Sequence, residues 1–136
     1  WPTLVTPSHV SDLSRPLLAF DGSRASVEAL YLLTYLAGRW QLPITVVTVV
    51  EANRVSKEIQ RLPKDYFHAN GIPRGQLTFV EEEGPVGPAL LRALEVHECD
   101  FIVMGSFSRR GLTDVVADSA LDYVLRNSWW PMLICR

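Results

Sequence analysis

The sequence holds only two cysteines in 136 residues, Cys99 and Cys135. Two are too few for a disulfide framework, and both sit among apolar neighbours, so they read as buried, reduced thiols of a cytosolic protein. Histidine is equally sparse. His9, His68 and His97 show no ligand spacing with one another or with the cysteines, which leaves no metal motif. Charge of one sign is missing as well. A formal net charge of −2 offers no footprint for nucleic acid or for an anionic membrane surface. No apolar run approaches the roughly 20 residues of a membrane span, and no signal peptide is visible. By position, no Ser-His-Asp or Cys-His constellation stands out. What remains is one cytoplasmic domain, large enough to bury a core.

The chain begins on an oddity. Trp1-Pro2-Thr3-Leu4-Val5-Thr6 reads almost like Trp130-Pro131-Met132-Leu133-Ile134-Cys135. Two apolar strands introduced by Trp-Pro and separated by one domain length point to an internal repeat. Residues 1–14 are then the last strand of a preceding repeat and its linker, and 15–136 are the domain proper. Trp1 to Thr6 is expected to pair with the edge at 132–135, in its own chain or in a partner.

Leu17 to Phe20 is an apolar run without alternation, as in a strand buried on both faces of a parallel sheet. Ser23 caps a predicted helix over Arg24–Ala37, with Gly38 at its left-handed end. Ile44–Val50 is almost purely β-branched and predicts a strand. Val55, Ile59, Leu62 and Tyr66 form a helical stripe that Pro63 kinks or splits and Asn70-Gly71 ends. Gln76–Glu81 alternates, as an edge strand does. The following Glu81-Glu82-Glu83 reads as a solvated strand end or as a carboxylate cluster beside a pocket. Gly84 to Pro88 predicts a turn and Ala89–Glu98 a helix, with His97 a packing residue. Phe101–Met104 and Met132–Cys135 close the set of strands, with a helix over Ala120–Asn127 between them. The sum is an α/β chain: a five-stranded parallel sheet in the order 3-2-1-4-5 with helices on both faces. That order opens a crevice between the carboxyl ends of its first and fourth strands, which stop at Asp21 and Gly105.

The stretch from Asp100 to Asp122 joins strand, glycine, polar loop and helix, the arrangement in which backbone N–H groups and a helix dipole converge on an anion. Ser119 has two readings here, as a ligand to that anion or as the start of a Ser119-Ala120-Leu121-Asp122 capping box. Arg109 and Arg110 are either a solvated loop tip or a forked grip on phosphate oxygens.

These pieces resemble the universal stress protein family: a first strand ending in Asp21-Gly22-Ser23, a second ending in Val49-Val50-Glu51, the turn before the third helix, and Asp100 to Ser106. The resemblance covers about residues 15–136, and the leading strand resembles the arrangement of tandem members, making this a C-terminal domain. It implies an adenine nucleotide alpha hydrolase-like, Rossmann-like fold and antiparallel pairing of final strands, in a homodimer or with an intramolecular sister domain. Nucleotide-binding members share a loop of Gly, two residues, Gly, nine residues, Gly, then Ser or Thr. Gly105 and Ser119 match its two ends at the right spacing. Ser108 and Asp118 stand where the inner glycines belong. Arg109 matches a commonly basic position. The resemblance also assigns Asp21, with Gly22 beside it, to the adenosine part of ATP and Val49 to the adenine.

The base end of such a site is kept and its phosphate end altered. A serine forced to positive φ costs roughly 1–2 kcal/mol. A carboxylate about 4 Å from a phosphate repels it by roughly 1 kcal/mol in water and about 4 near a protein surface. No cofactor is therefore certain, with ATP the one possibility. The leading expectation is a non-enzymatic stress-response domain acting through dimerisation or partner contact, with a degenerate nucleotide site. The alternative is an ATP- or AMP-binding sensor with at most slow hydrolysis. Catalysis comes last, because neither a Ser-Gly-Gly-x-Asp-Ser loop nor a His-x-Gly-His motif is present, and receiver chemistry needs acidic residues beside Asp21 that are absent.

Overall fold

The computed structural model describes residues 2–7, 11–50, 56–105 and 113–135, with side chains throughout except at 56–57 and 113–119. Six strands and four α-helices follow one another: β1 (Thr3–Val5), β2 (Pro16–Ala19), α1 (Arg24–Trp40), β3 (Ile44–Val50), α2 (Ser56–Ala69), β4 (Leu77–Glu83), α3 (Val86–Val96), β5 (Phe101–Gly105), α4 (Thr113–Asn127) and β6 (Met132–Cys135). They form a single sheet in the order β1-β6-β5-β2-β3-β4. The sheet is mixed and six-stranded, which corrects the expectation of five parallel strands. The leading segment joins it, running antiparallel to β6 with Thr3 opposite Ile134 and Val5 opposite Met132. The pairing expected of this segment with residues 132–135 is thus made within its own chain. The other neighbouring pairs are parallel.

Alternation sorts the strand residues between two helix layers. Leu18, Phe20, Ile44, Val46, Phe101 and Val103 pack with Leu30, Leu33 and Ala37 of α1 and Phe67 of α2. Leu17, Val47, Ile102, Met104 and Met132 pack on the opposite face with Leu90 and Leu94 of α3 and Val124 of α4. Burial on both faces explains why these strands read as unbroken apolar runs. At the β4 edge three of the seven residues, Thr78, Glu81 and Glu83, are exposed and none is fully buried. Tyr31 and Tyr66 meet with ring centroids 4.7 Å apart, joining α1 to α2 beyond their contacts with the sheet.

Several helix bounds differ from expectation. Helix α1 continues past Gly38 to Trp40, and the left-handed cap is Gln41 at φ 53. Gly38 instead sits over the Ile72 side chain, whose Cδ1 lies 3.9 Å from where a Cβ would stand. Helix α2 runs unbroken through Pro63, which is buried. Its buried face is Gln60, Pro63 and Phe67, and Leu62 lies exposed on the far side; Val55 falls outside the described residues. Gly71 does end the helix, at φ +77, with Gly71 N donating to His68 O and Ile72 N to Phe67 O. Strand β4 carries all three glutamates, opposite Thr48, Val49 and Val50, and so runs two residues past the expected end at Glu81. Helix α3 starts at Val86, three residues early, because Pro88 is tolerated in a first turn whose N–H groups have no partner anyway.

Candidate functional site

The site follows from where the central strands stop. Strand β2 lies between β3 and β5, with Ala19 beside Val47 on one side and beside Met104 on the other. Continuing that register sets Asp21 next to Val49 and Phe20 next to Gly105. The sequence-predicted residues at the ends of β2, β3 and β5 therefore do come together, at the carboxyl edge of the sheet. Beyond β2 the backbone is built with care. Phe20 N donates to Val47 O at 3.0 Å, and Thr48 Oγ1 donates to Phe20 O at 2.9 Å. Thr48 is buried, and sequence reasoning passed over it; the signal was a hydroxyl inside an otherwise apolar β-branched run.

Asp21 is half-exposed, and its Oδ1 accepts from Ser23 N at 2.8 Å. This turn holds the exposed Gly22 at φ +81, a conformation a side chain would strain, and delivers Ser23 to cap α1. Ser23 Oγ accepts from Ser26 N at 3.2 Å, and Ser26 Oγ returns a bond to Ser23 O at 2.8 Å. Val49 is half-buried on the α3 side, with Glu82 opposite it in register. Glu82 ion-pairs with Arg92 at 3.8 Å, and the same guanidinium donates to Glu83 O at 2.9 Å. The acidic run is thus part of an ordered strand end, pinned from α3.

Gly105 occupies the end of β5, buried, beside Cys135 of β6. A Cβ there would lie 2.4 Å from the Ala25 carbonyl carbon and 2.6 Å from its oxygen. The first turn of α1 rests directly on this glycine. Packing alone demands glycine here, whatever the loop beyond it does.

Ser108 and Arg109, with Arg110, lie outside the described residues. Ser119 does not open a helix: α4 begins at Thr113, placing Ser119 well inside it and removing the capping-box reading. No glycine or proline interrupts Thr113–Asn127, so once the backbone turns helical nothing delays it until Ser119. The N–H groups left without helical partners are those of the first four residues, and Ser119 is not among them.

The two thiols have raised pKa values. Burial is the main cause for both, with a hydrogen bond from Thr45 opposing it at Cys99 and the Glu28 carboxylate adding to it at Cys135. Among the described residues, no group of His, Cys, Asp and Glu is placed to hold a metal ion, and no helix is long and apolar enough to cross a membrane.

Comparisons with known proteins agree on one family. The model for the universal stress protein family matches residues 14–136. A universal stress protein of Synechocystis, Slr1230, is 28% identical over 138 residues, covering 99% of this chain and 47% of that protein. The chain thus spans about half the length of this curated relative. The crystal structure of a universal stress protein from Archaeoglobus fulgidus superposes with a TM-score of 0.82 at 22% identity, covering 99% of this chain and 49% of the other. A universal stress protein crystallised in complex with cAMP gives 0.75 at 20% identity, over 90% of this chain and 96% of the other. At these identities the superpositions speak for the shared fold.

Proposed function

This chain belongs to the universal stress protein family, and we propose that it acts in stress response through dimerisation or contact with a partner or sister domain, its nucleotide site having lost the phosphate end. The observation that carries the reading is the start of α4 at Thr113. A phosphate cradle at the end of the family loop needs Ser119 and the N–H groups around it at a helix N-terminus, where they are unpaired. Inside a helix those N–H groups are committed to carbonyls four residues back. Asp118 adds a negative charge at the position where the family loop has glycine, and the need for Gly105 is met by packing on Ala25.

Contact with a second domain passes through the sheet edge. β1 covers the outer edge of β6, leaving Leu4 and Val5 exposed on the outermost strand, 50% and 37%. An outermost strand with exposed apolar residues is a ready surface for strand-to-strand association.

A second reading keeps nucleotide binding, and what favours it is the convergence of Asp21 and Val49 at the crevice. The relative solved with cAMP accommodates an adenine nucleotide on the same fold. Thermal unfolding with ATP, AMP and cAMP separates the two. The first reading expects no ligand-dependent rise in Tm for the wild type and a rise for Ser108→Gly/Asp118→Gly. A rise in the wild type that Asp21→Ala abolishes would establish the second.

A further inference from the structure

The segment between β1 and β2 is fastened to the turn between α3 and β5 by a set of hydrogen bonds centred on Asp100. Its carboxylate accepts from Ser14 N and Ser14 Oγ, each at 3.0 Å, and from Arg15 N at 2.7 Å. Ser11 Oγ donates to the Asp100 carbonyl at 2.8 Å and accepts from Leu13 N at 3.1 Å. Arg15 O accepts from Asp100 N at 3.0 Å, and the Arg15 guanidinium reaches Glu98 O at 2.9 Å and His97 O at 3.4 Å. Those last carbonyls lie at the cap and just past the C-terminal end of α3, where a cation is favoured by the helix dipole. Leu13, held at φ 53, packs against the core on the α1 side of the sheet.

We propose that Asp100 is the centre of a clasp that keeps β1 docked on β6 by shortening its tether. Strand β1 buries little: all three of its residues are exposed. Three residues of strand pairing are marginal by themselves, so docking depends on how concentrated β1 is held near its edge. From the end of β1 to the start of β2 the chain has ten residues, 6–15. The gap it spans is three strand spacings, roughly 14 Å, whereas ten extended residues reach roughly 33 Å. An unclasped tether is therefore slack. The bond from Ser11 to Asp100 moves the anchor to residue 11, so that the tether counted from β1 is residues 6–10, half the length. Halving a flexible tether raises the local concentration of its end by about threefold, from the three-halves power of length. The contribution is small but acts on an equilibrium that is itself nearly balanced.

Amide hydrogen exchange on the full chain, read by NMR, tests this. Ser11→Ala/Ser14→Ala, which removes the Ser11 bond to the Asp100 carbonyl, should speed exchange in the β1–β6 pairing by about threefold, leaving β3–β4 amides unchanged once corrected for global stability. Asp100→Ala, which keeps that carbonyl and removes the carboxylate bonds to Ser14 and Arg15, should act in the same direction by a smaller factor. The proposal is overturned if residues 11–15 lose protection while β1–β6 exchange stays at the wild-type rate. It is equally overturned if β1–β6 exchange rises only as much as that of β3–β4, because the bonds would then serve general stability alone.

Discussion

Replacing Gly105 with alanine places a methyl carbon where helix α1 already stands. The new Cβ would fall 2.4 Å from the Ala25 carbonyl carbon, and 2.6 Å from both its oxygen and its Cβ. Two of these three atoms are backbone, so no side-chain rotation relieves the contact, and α1 or β5 has to shift. Overpacking a well-packed site costs about 1–3 kcal/mol, and an obstacle that cannot rotate away belongs at the upper end. A loss of about 3 kcal/mol lowers Tm by roughly 10 °C in a chain of this size. Thermal and urea unfolding measure it directly. Gly75→Ala is the control, because nothing stands within 4 Å of its Cβ and no positive φ is imposed; it should change stability by no more than about 0.5 kcal/mol. A Gly105→Ala protein melting within about 2 °C of wild type would refute the packing argument and return this glycine to the loop and whatever the loop binds.

Two further outcomes follow from the same geometry. In Gly87→Ala the new Cβ would lie 2.6 and 2.9 Å from Cδ1 and Cγ of the ring of Tyr123, which is 40% exposed and can swing outward. It would also lie 2.9 Å from Tyr123 Cβ, a contact that only a shift of α4 relieves. The loss should be about 1–2 kcal/mol, and Tyr123→Ala in the same chain, which removes the ring and keeps the Cβ, should recover the ring's share of it, a coupling that urea unfolding of the double-mutant cycle resolves. The thiols set a pH dependence. Their pKa values are raised in the fold above the ordinary 9.0, so their contribution is full below pH 9.0 and is lost as pH rises toward the folded values, since the unfolded thiols ionise first. Wild type should lose stability between pH 8 and 10 more steeply than Cys99→Ala/Cys135→Ala in urea unfolding, and equal slopes would contradict the assignment.

The strands were legible because burial on both faces leaves a plain mark. Leu17-Leu18-Ala19-Phe20 and Ile44–Val50 have nothing polar enough to face water, and the wetter edge at β4 shows its alternation. The Trp-Pro repetition located β1, and the family resemblance implied its antiparallel pairing with the last strand. Helix limits were less legible. Gly38 looked like a terminus, yet a small residue also lets a helix pass close over Ile72. Pro88 looked like a turn, though a first helical turn tolerates it. Ser119-Ala120-Leu121-Asp122 has the composition of a cap but sits in mid-helix, because a local motif carries no information about whether the preceding residues are helical already. In the site, Asp21 and Gly105 were read from strand ends, Gly22 and Val49 from the family resemblance, and the ends of β2, β3 and β5 lie side by side. At Gly105 the spacing marked a glycine without revealing that Ala25 also excludes a side chain. The Asp100 clasp was invisible, since its partners lie more than 80 residues away in the chain.

The proposed loss of the phosphate end is most directly tested by calorimetric titration of the wild-type chain with adenosine and with ATP under identical salt and magnesium. If the phosphates find no cradle, they add nothing, and ATP should bind no more than about threefold more tightly than adenosine, or neither should bind. An ATP affinity tenfold or more above that of adenosine, about 1.4 kcal/mol, would mean that the phosphates are held after all and would contradict the account.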